Sequence, residues 1–185
     1  MPIQIGAKPD SGFDDPLGML KDCHRRIENF LRVLHIVANR AEDGPLNSEE
    51  KRAVQTALEY FRVGGRRHNL DEEESLFPRL ESAQASGLEA IGRLENEHRS
   101  AEMDHATVER LFLKWLSSES LDAADRESLR SAANRLKALY GDHIRLEEEV
   151  VFPRAAEVLK SDAIAEMGEE FRDRRKVNPN FGLPT

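Results

Sequence analysis

Thiols are almost missing from this chain: Cys23 is the single cysteine in 185 residues. An internal disulfide is thereby excluded, and so is a zinc site built from several thiolates. A reducing cytoplasm is the expected setting. Long apolar runs are missing too. No stretch approaches the roughly 20 residues of a membrane span, and no basic-then-apolar signal opens the chain. Net positive charge is absent: the formal charge is -8, which argues against a nucleic-acid surface. Aromatics are scarce at 6%. Hydrophobics at 39% and charged residues at 34%, rich in Leu, Ala, Glu and Arg, suit solvated helices rather than sheets.

Helical spacing is what the sequence has in quantity. Residues 1–15 read as an irregular lead-in. From Pro16, Leu17, Leu20, His24, Ile27, Leu31, Leu34 and Ala38 recur at three-then-four spacing, one face of a helix. Gly44-Pro45 break it, and Asn47 or Ser48 can cap the next. The second helix aligns Val54, Leu58, Phe61, Gly65, His68 and Glu72, and is expected to end near Phe77, before Pro78, because proline disfavours helix in the preceding residue. The third starts around Ser86 and aligns Ile91, Leu94, His98, Ala101, His105, Val108, Phe112 and Trp115. The fourth aligns Leu129, Leu136, Tyr140, His143, Glu147 and Val150 and meets Pro153. A shorter segment, Asp162 to Arg175, places Ile164, Met167 and Phe171 on one side, and the tail from Asn178 reads as a loop. The expectation is all-α: an up-down-up-down four-helix bundle over 16–160, then a short additional C-terminal helix and tail over 161–185.

One pattern occurs twice. "HNLDEEESLFPR" begins at His68 and "HIRLEEEVVFPR" at His143, 75 residues on, agreeing at His, at three consecutive Glu and at Phe-Pro-Arg. Positions i and i+4 of a helix differ by about 40° and 6 Å, so His68 projects with Glu72 and His143 with Glu147. Glu73, Glu74, Glu148 and Glu149 lie well round their helices and read as solvated or arginine-paired. His24 and His98 each replace an apolar residue on an inward stripe. All four helices thus direct a histidine inward, and two add a carboxylate. Burying two Glu uncompensated costs several kcal/mol each, and a cation removes that cost. Imidazole with carboxylate and no thiolate suits iron, manganese or zinc. Two carboxylates can bridge two metals, whereas one zinc needs only about four donors.

These elements resemble the hemerythrin-like family, whose HHE cation-binding domains repeat H-x-x-x-E in the second and fourth helices. The resemblance is carried by "DCHRRIENFL", "HNLDEEESLFP", "LENEH" and "DHIRLEEEVVFP", one per long helix, from about Asp15 to Leu159. It implies two non-haem iron ions (Fe2+/Fe3+), oxo- or hydroxo-bridged. His24, His68, His98 and His143 would be terminal ligands, and Glu72 and Glu147 would bridge. Oxygen-carrying hemerythrins have H-x-x-x-H in the third helix. Here Glu102 stands four after His98, either as a ligand or facing solvent. Fewer histidines bring the site closer to bacterial members linked to nitric-oxide stress and iron-centre repair, although this sequence shows no sign of the extra N-terminal domain of those repair proteins.

The expected function is binding of, or reaction with, a small oxidant: dioxygen, nitric oxide or peroxide. Whether that amounts to enzymatic turnover is open. The alternative is an iron- and oxygen-sensing interaction module, in which metal occupancy orders the helices, although no output domain is attached. Iron storage is disfavoured by a single site, and the sequence names no protein partner. Six further positions bear on the site less directly. Gly64 and Gly65 serve packing or a pocket, and Tyr140, three residues before His143, either brings its hydroxyl in behind the ligands or is a core tyrosine bonded elsewhere. His35 and His105, about 16 and 10 Å along their helices from His24 and His98, are polar core residues or line an access path. Cys23 points about 100° away from His24 and is not expected to ligate.

Overall fold

The computed structural model describes residues 10–40, 44–83 and 88–176. Most of the expected lead-in, the expected start of the third helix at Ser86 and the expected tail loop lie outside them. Five helices form. α1 is Pro16–Asn39, α2 spans 48–82, α3 is Leu88–Ser118, α4 spans 123–158 and α5 is Ser161–Lys176. Local chemistry starts them. Asp15 accepts the Gly18 N–H at 2.9 Å, with Pro16 opening α1. Asn47 and Glu50 form a reciprocal capping box at the head of α2, and Asp122 accepts the Asp125 N–H at 2.8 Å before α4. Each cap satisfies amides that the first helical turn leaves without partners.

α1 packs along α2 and α4, and α3 along α4 and α2, which closes the up-down-up-down bundle. Its interior has two apolar clusters. One gathers Ile27, Leu31, Leu34, Leu58, Phe112 and Leu136, among others. The other gathers Leu20, Leu76, Phe77, Leu94 and Phe152 with Met167 and Phe171 of α5. Between them the core is polar, because every long helix carries a histidine at that level.

The sequence reading errs where α2 meets proline. The helix does not end near Phe77 but runs on to Ser82. The Phe77 N–H bonds to the Glu72 carbonyl, five residues back, and the Phe152 N–H to that of Glu147. These π turns, Glu72–Leu76 and Glu147–Val151, widen the helix just before Pro78 and Pro153. The carbonyl that a proline ring would strike is moved aside, and the missing N–H falls where the ladder is already interrupted. The extra residue per turn also shifts the inward stripe. Val150, expected on it, is 45% exposed, and Val151 and Phe152 are buried instead.

α5 lies across α2. Asp71, fully buried, receives Arg174 at 2.9 Å and Arg175 at 2.7 Å. Glu170 takes Arg79 at 2.8 Å and the Ser75 hydroxyl. Gly168 permits the approach of the N-terminal segment: a Cβ there would sit 1.9 Å from the Phe13 carbonyl oxygen.

Candidate metal centre

The polar layer is made of six side chains. α1 supplies His24, α2 supplies His68 and Glu72, α3 supplies His98, and α4 supplies His143 and Glu147. All are buried, His98 being the most accessible at 5%. Glu72 and Glu147 begin the two π turns, so the helical irregularity that admits proline also opens directly beneath the carboxylates.

Their donor atoms converge in two overlapping sets. One atom from each of His24, His68, Glu72 and Glu147 lies within 4.8 Å of the others, and so does one from each of Glu72, His98, His143 and Glu147. Both carboxylates belong to both sets. His24 Nε2 is 3.0 Å from Glu147 Oε2 and 3.9 Å from Glu72 Oε1, and His68 Nε2 is 3.2 Å from Glu72 Oε1. On the other side, His98 Nε2 is 3.5 Å from Glu72 Oε2, and His143 Nε2 is 3.4 Å from Glu147 Oε2. His98 Nε2 and His143 Nε2 stand 3.1 Å apart, a pair that, as neutral rings, can share only one proton.

The short distances to the two carboxylates do not make hydrogen bonds. All four carboxylate oxygens of Glu72 and Glu147, and His24 Nε2, are buried without a hydrogen-bond partner. The lone pairs point to common spaces rather than at one another. Unpartnered buried carboxylate oxygens are costly, and a shared cation between them satisfies all the donors at once. The residues present therefore fit a pair of cations held by nitrogen and oxygen donors.

The hemerythrin HHE cation binding domain matches residues 15–173. The chain belongs to the hemerythrin HHE family. This is a family of metal-binding domains, iron being typical. An uncharacterized protein of Haemophilus influenzae is similar, at 28% identity over 165 residues, covering 89% of this chain and 92% of its own length.

In this HHE domain the outer nitrogens of three of the four rings are held by further carboxylates. Glu148 bonds His24 Nδ1 at 2.8 Å, Glu73 bonds His98 Nδ1 at 2.6 Å, and Glu97 bonds His143 Nδ1 at 3.0 Å. The expectation that Glu73 and Glu148 are solvated or arginine-paired is therefore corrected. Each lies one residue, about 100°, beyond its buried neighbour, which turns it toward the next helix and onto that helix's histidine. The available signal was chemical rather than angular: a metal-ligating imidazole usually gives its second N–H to a carboxylate. Glu74 does pair with an arginine, Arg174, at 3.2 Å, and Glu149 is exposed.

Charge in the cluster is strongly redistributed. Burial, then the charge of Glu147, pushes the Glu72 carboxyl well above its usual range. Burial would do the same to Glu147, but the His143 and His24 imidazoles beside it hold it below the usual carboxylate value. Burial disfavours a charged His24, yet Glu147 and Glu72 raise it to about 10. His68 is driven well below the ordinary imidazole value, chiefly by burial. Burial thus works against the charge of the paired carboxylates, a cost that a bound cation would offset.

Glu102 does not join the donors. It is exposed on α3 and lines a cavity of about 480 Å³ with Phe61, Gly65, Asn69, His105 and Tyr140. His105 Nε2 and the Tyr140 hydroxyl are hydrogen-bonded at 3.0 Å, so Tyr140 is bonded away from the cluster and His105 is a cavity wall. Gly64 packs under the Tyr60 ring, where a Cβ would come within 2.6 Å. Cys23 is buried and unpaired, with Arg26 donating to its sulfur at 3.2 Å. None of the described helices is long and apolar enough to cross a membrane.

Proposed function

We propose that His24, His68, His98, His143, Glu72 and Glu147 hold two iron ions, with the carboxylates shared between them, and that the centre binds or reacts with dioxygen, nitric oxide or peroxide. The single observation that supports this best is the sharing itself. Two buried carboxylates, with all four oxygens lacking a hydrogen-bond partner, serve two donor sets at once. One tetrahedral zinc would leave donors unused.

When bound, the irons would supply the redox chemistry and the open coordination positions. The chain's own contribution is threefold. The imidazoles present neutral Nε2 donors, with Glu73, Glu97 and Glu148 fixing the rings. The two apolar clusters above and below exclude water and raise the worth of every charge between them. The cavity beside Tyr140 and Gly65, each three residues from a histidine of the centre, brings a small molecule within one helical turn. A cytoplasmic setting belongs to the same proposal, since a ferrous centre needs a reducing compartment and Cys23 is unpaired.

Elemental analysis of protein from iron-replete cells should find two irons per chain. One zinc, or no metal, would overturn the reading. Mixing the anaerobically reduced protein with each oxidant in a stopped-flow instrument then separates a carrier from an enzyme. A persistent, reversible adduct indicates the first and rapid turnover the second.

A further inference from the structure

We infer that the two ion positions are unequal, and that His68 makes the position it shares with His24 the weaker, exchangeable one. The inference rests on the two-metal reading above and concerns how this chain's residues divide the work.

An imidazole that gives Nε2 to a cation keeps its remaining proton on Nδ1. At the His98/His143 position both such protons have an acceptor: Glu73 at 2.6 Å and Glu97 at 3.0 Å. Glu97 is itself held by Arg93 at 2.7 Å. At the His24/His68 position only His24 has one, Glu148 at 2.8 Å. His68 is only 1% exposed, and its Nδ1 has no hydrogen-bond partner among the described residues. In the free ring its proton can sit on Nε2, which faces Glu72 Oε1 at 3.2 Å. Ligation by Nε2 forces that proton to Nδ1, where nothing accepts it.

Loss of such an outer partner typically lowers metal affinity by 10–100-fold. The His24/His68 position should be weaker by about that factor, and it is where an ion is lost first. Glu73, Glu97 and Glu148 are in this sense positioning residues. They touch the imidazoles and fix their tautomer and orientation.

The test is an anaerobic titration of the metal-free full chain with Co2+, followed by visible absorption and native mass spectrometry. Two ions should bind, the second roughly 10–100-fold more weakly. The first ion's charge alone could separate the steps, so variants assign them. His68→Gln should remove only the weaker step, Glu97→Gln should weaken the tighter one by tenfold or more, and Glu148→Gln should act on the weaker. Loss of the tighter step in His68→Gln would overturn the inference. The wild type offers a check independent of variant folding. With one Co2+ per chain, proton NMR should show two hyperfine-shifted imidazole N–H signals protected from solvent exchange, those of His98 and His143. A single protected signal, from His24, would place the first ion on the wrong side. A chain that never takes more than one Co2+ would instead refute the two-metal reading itself.

Discussion

His105 should make this protein lose stability in mild acid, by an amount that follows from its surroundings. Its ring packs against Phe61, with centroids 4.9 Å apart, and its Nε2 is bonded to the Tyr140 hydroxyl at 3.0 Å. Burial lowers its pKa to about 4, although the charges of Asp104 and Glu109 work the other way. In the unfolded chain the same imidazole titrates near 6.5. Between those values the unfolded state binds more protons than the folded one, so stability falls as pH falls. The contribution is fully present above about pH 7 and is lost progressively toward about pH 4. At roughly 1.4 kcal/mol per pKa unit, the full loss is about 3 kcal/mol. Between about pH 7 and pH 5, where the folded ring is still mostly neutral, it is about 2 kcal/mol, or roughly 4–8 °C in Tm for a chain of this size. His105→Gln retains an amide to bond Tyr140 but cannot titrate. Urea unfolding of both proteins at the two pH values isolates the effect, because the metal centre is common to both and cancels. The wild type's advantage over the variant should shrink by about 2 kcal/mol on acidification. An unchanged difference would refute the argument, and would mean that His105 is protonated in the folded state.

Glu72→Ala and Glu147→Ala should each abolish retention of metal by the purified chain, while Glu74→Ala and Glu149→Ala should leave it intact; equal loss in all four would sink the assignment of donors. Stripping the metal with a chelator should lower Tm, since an ion held only by the folded form stabilises it by roughly 4 kcal/mol when free metal is about a thousand times Kd; a Tm indifferent to metal would show that the centre is not occupied in the folded protein. Asp71→Asn should cost roughly 2–3 kcal/mol by weakening the ion pairs to Arg174 and Arg175, visible as faster hydrogen exchange in α5 than in α1; unchanged exchange in α5 would show that the ion pairs do not hold it. Gly168→Ala should destabilise by about 1–3 kcal/mol, because its new methyl would overlap the Phe13 carbonyl and force the segment apart; a thermal melt matching the wild type would exclude that close approach.

The five helices were legible in the sequence because apolar spacing and capping residues are local properties. Leu20, Ile27, Leu31 and Leu34 repeat on one face whatever surrounds them, and Asn47 with Glu50 closes a cap by contacts within one turn. The sharing of one interior layer by His24, His68, His98 and His143 was legible for the same reason. A histidine on an apolar stripe must face inward, and i,i+4 geometry brings Glu72 and Glu147 with their own histidines. What the sequence could not settle depends on contacts between helices. Glu73 and Glu148 read as surface charges on their own helices, and nothing in the local spacing marks Glu97. They become partners of His98, His143 and His24 only because the bundle sets a neighbouring ring within hydrogen-bond reach. Pro78 reads as a stop, yet packing of Leu76, Phe77 and Leu80 favours a widened turn that lets α2 continue. Glu102 held two readings until the rotation of α3 within the bundle turned it toward solvent. The docking of α5 on Asp71 and Ser75 joins residues about a hundred positions apart. Local spacing has no access to such a contact, because it exists only after the chain has folded back on itself.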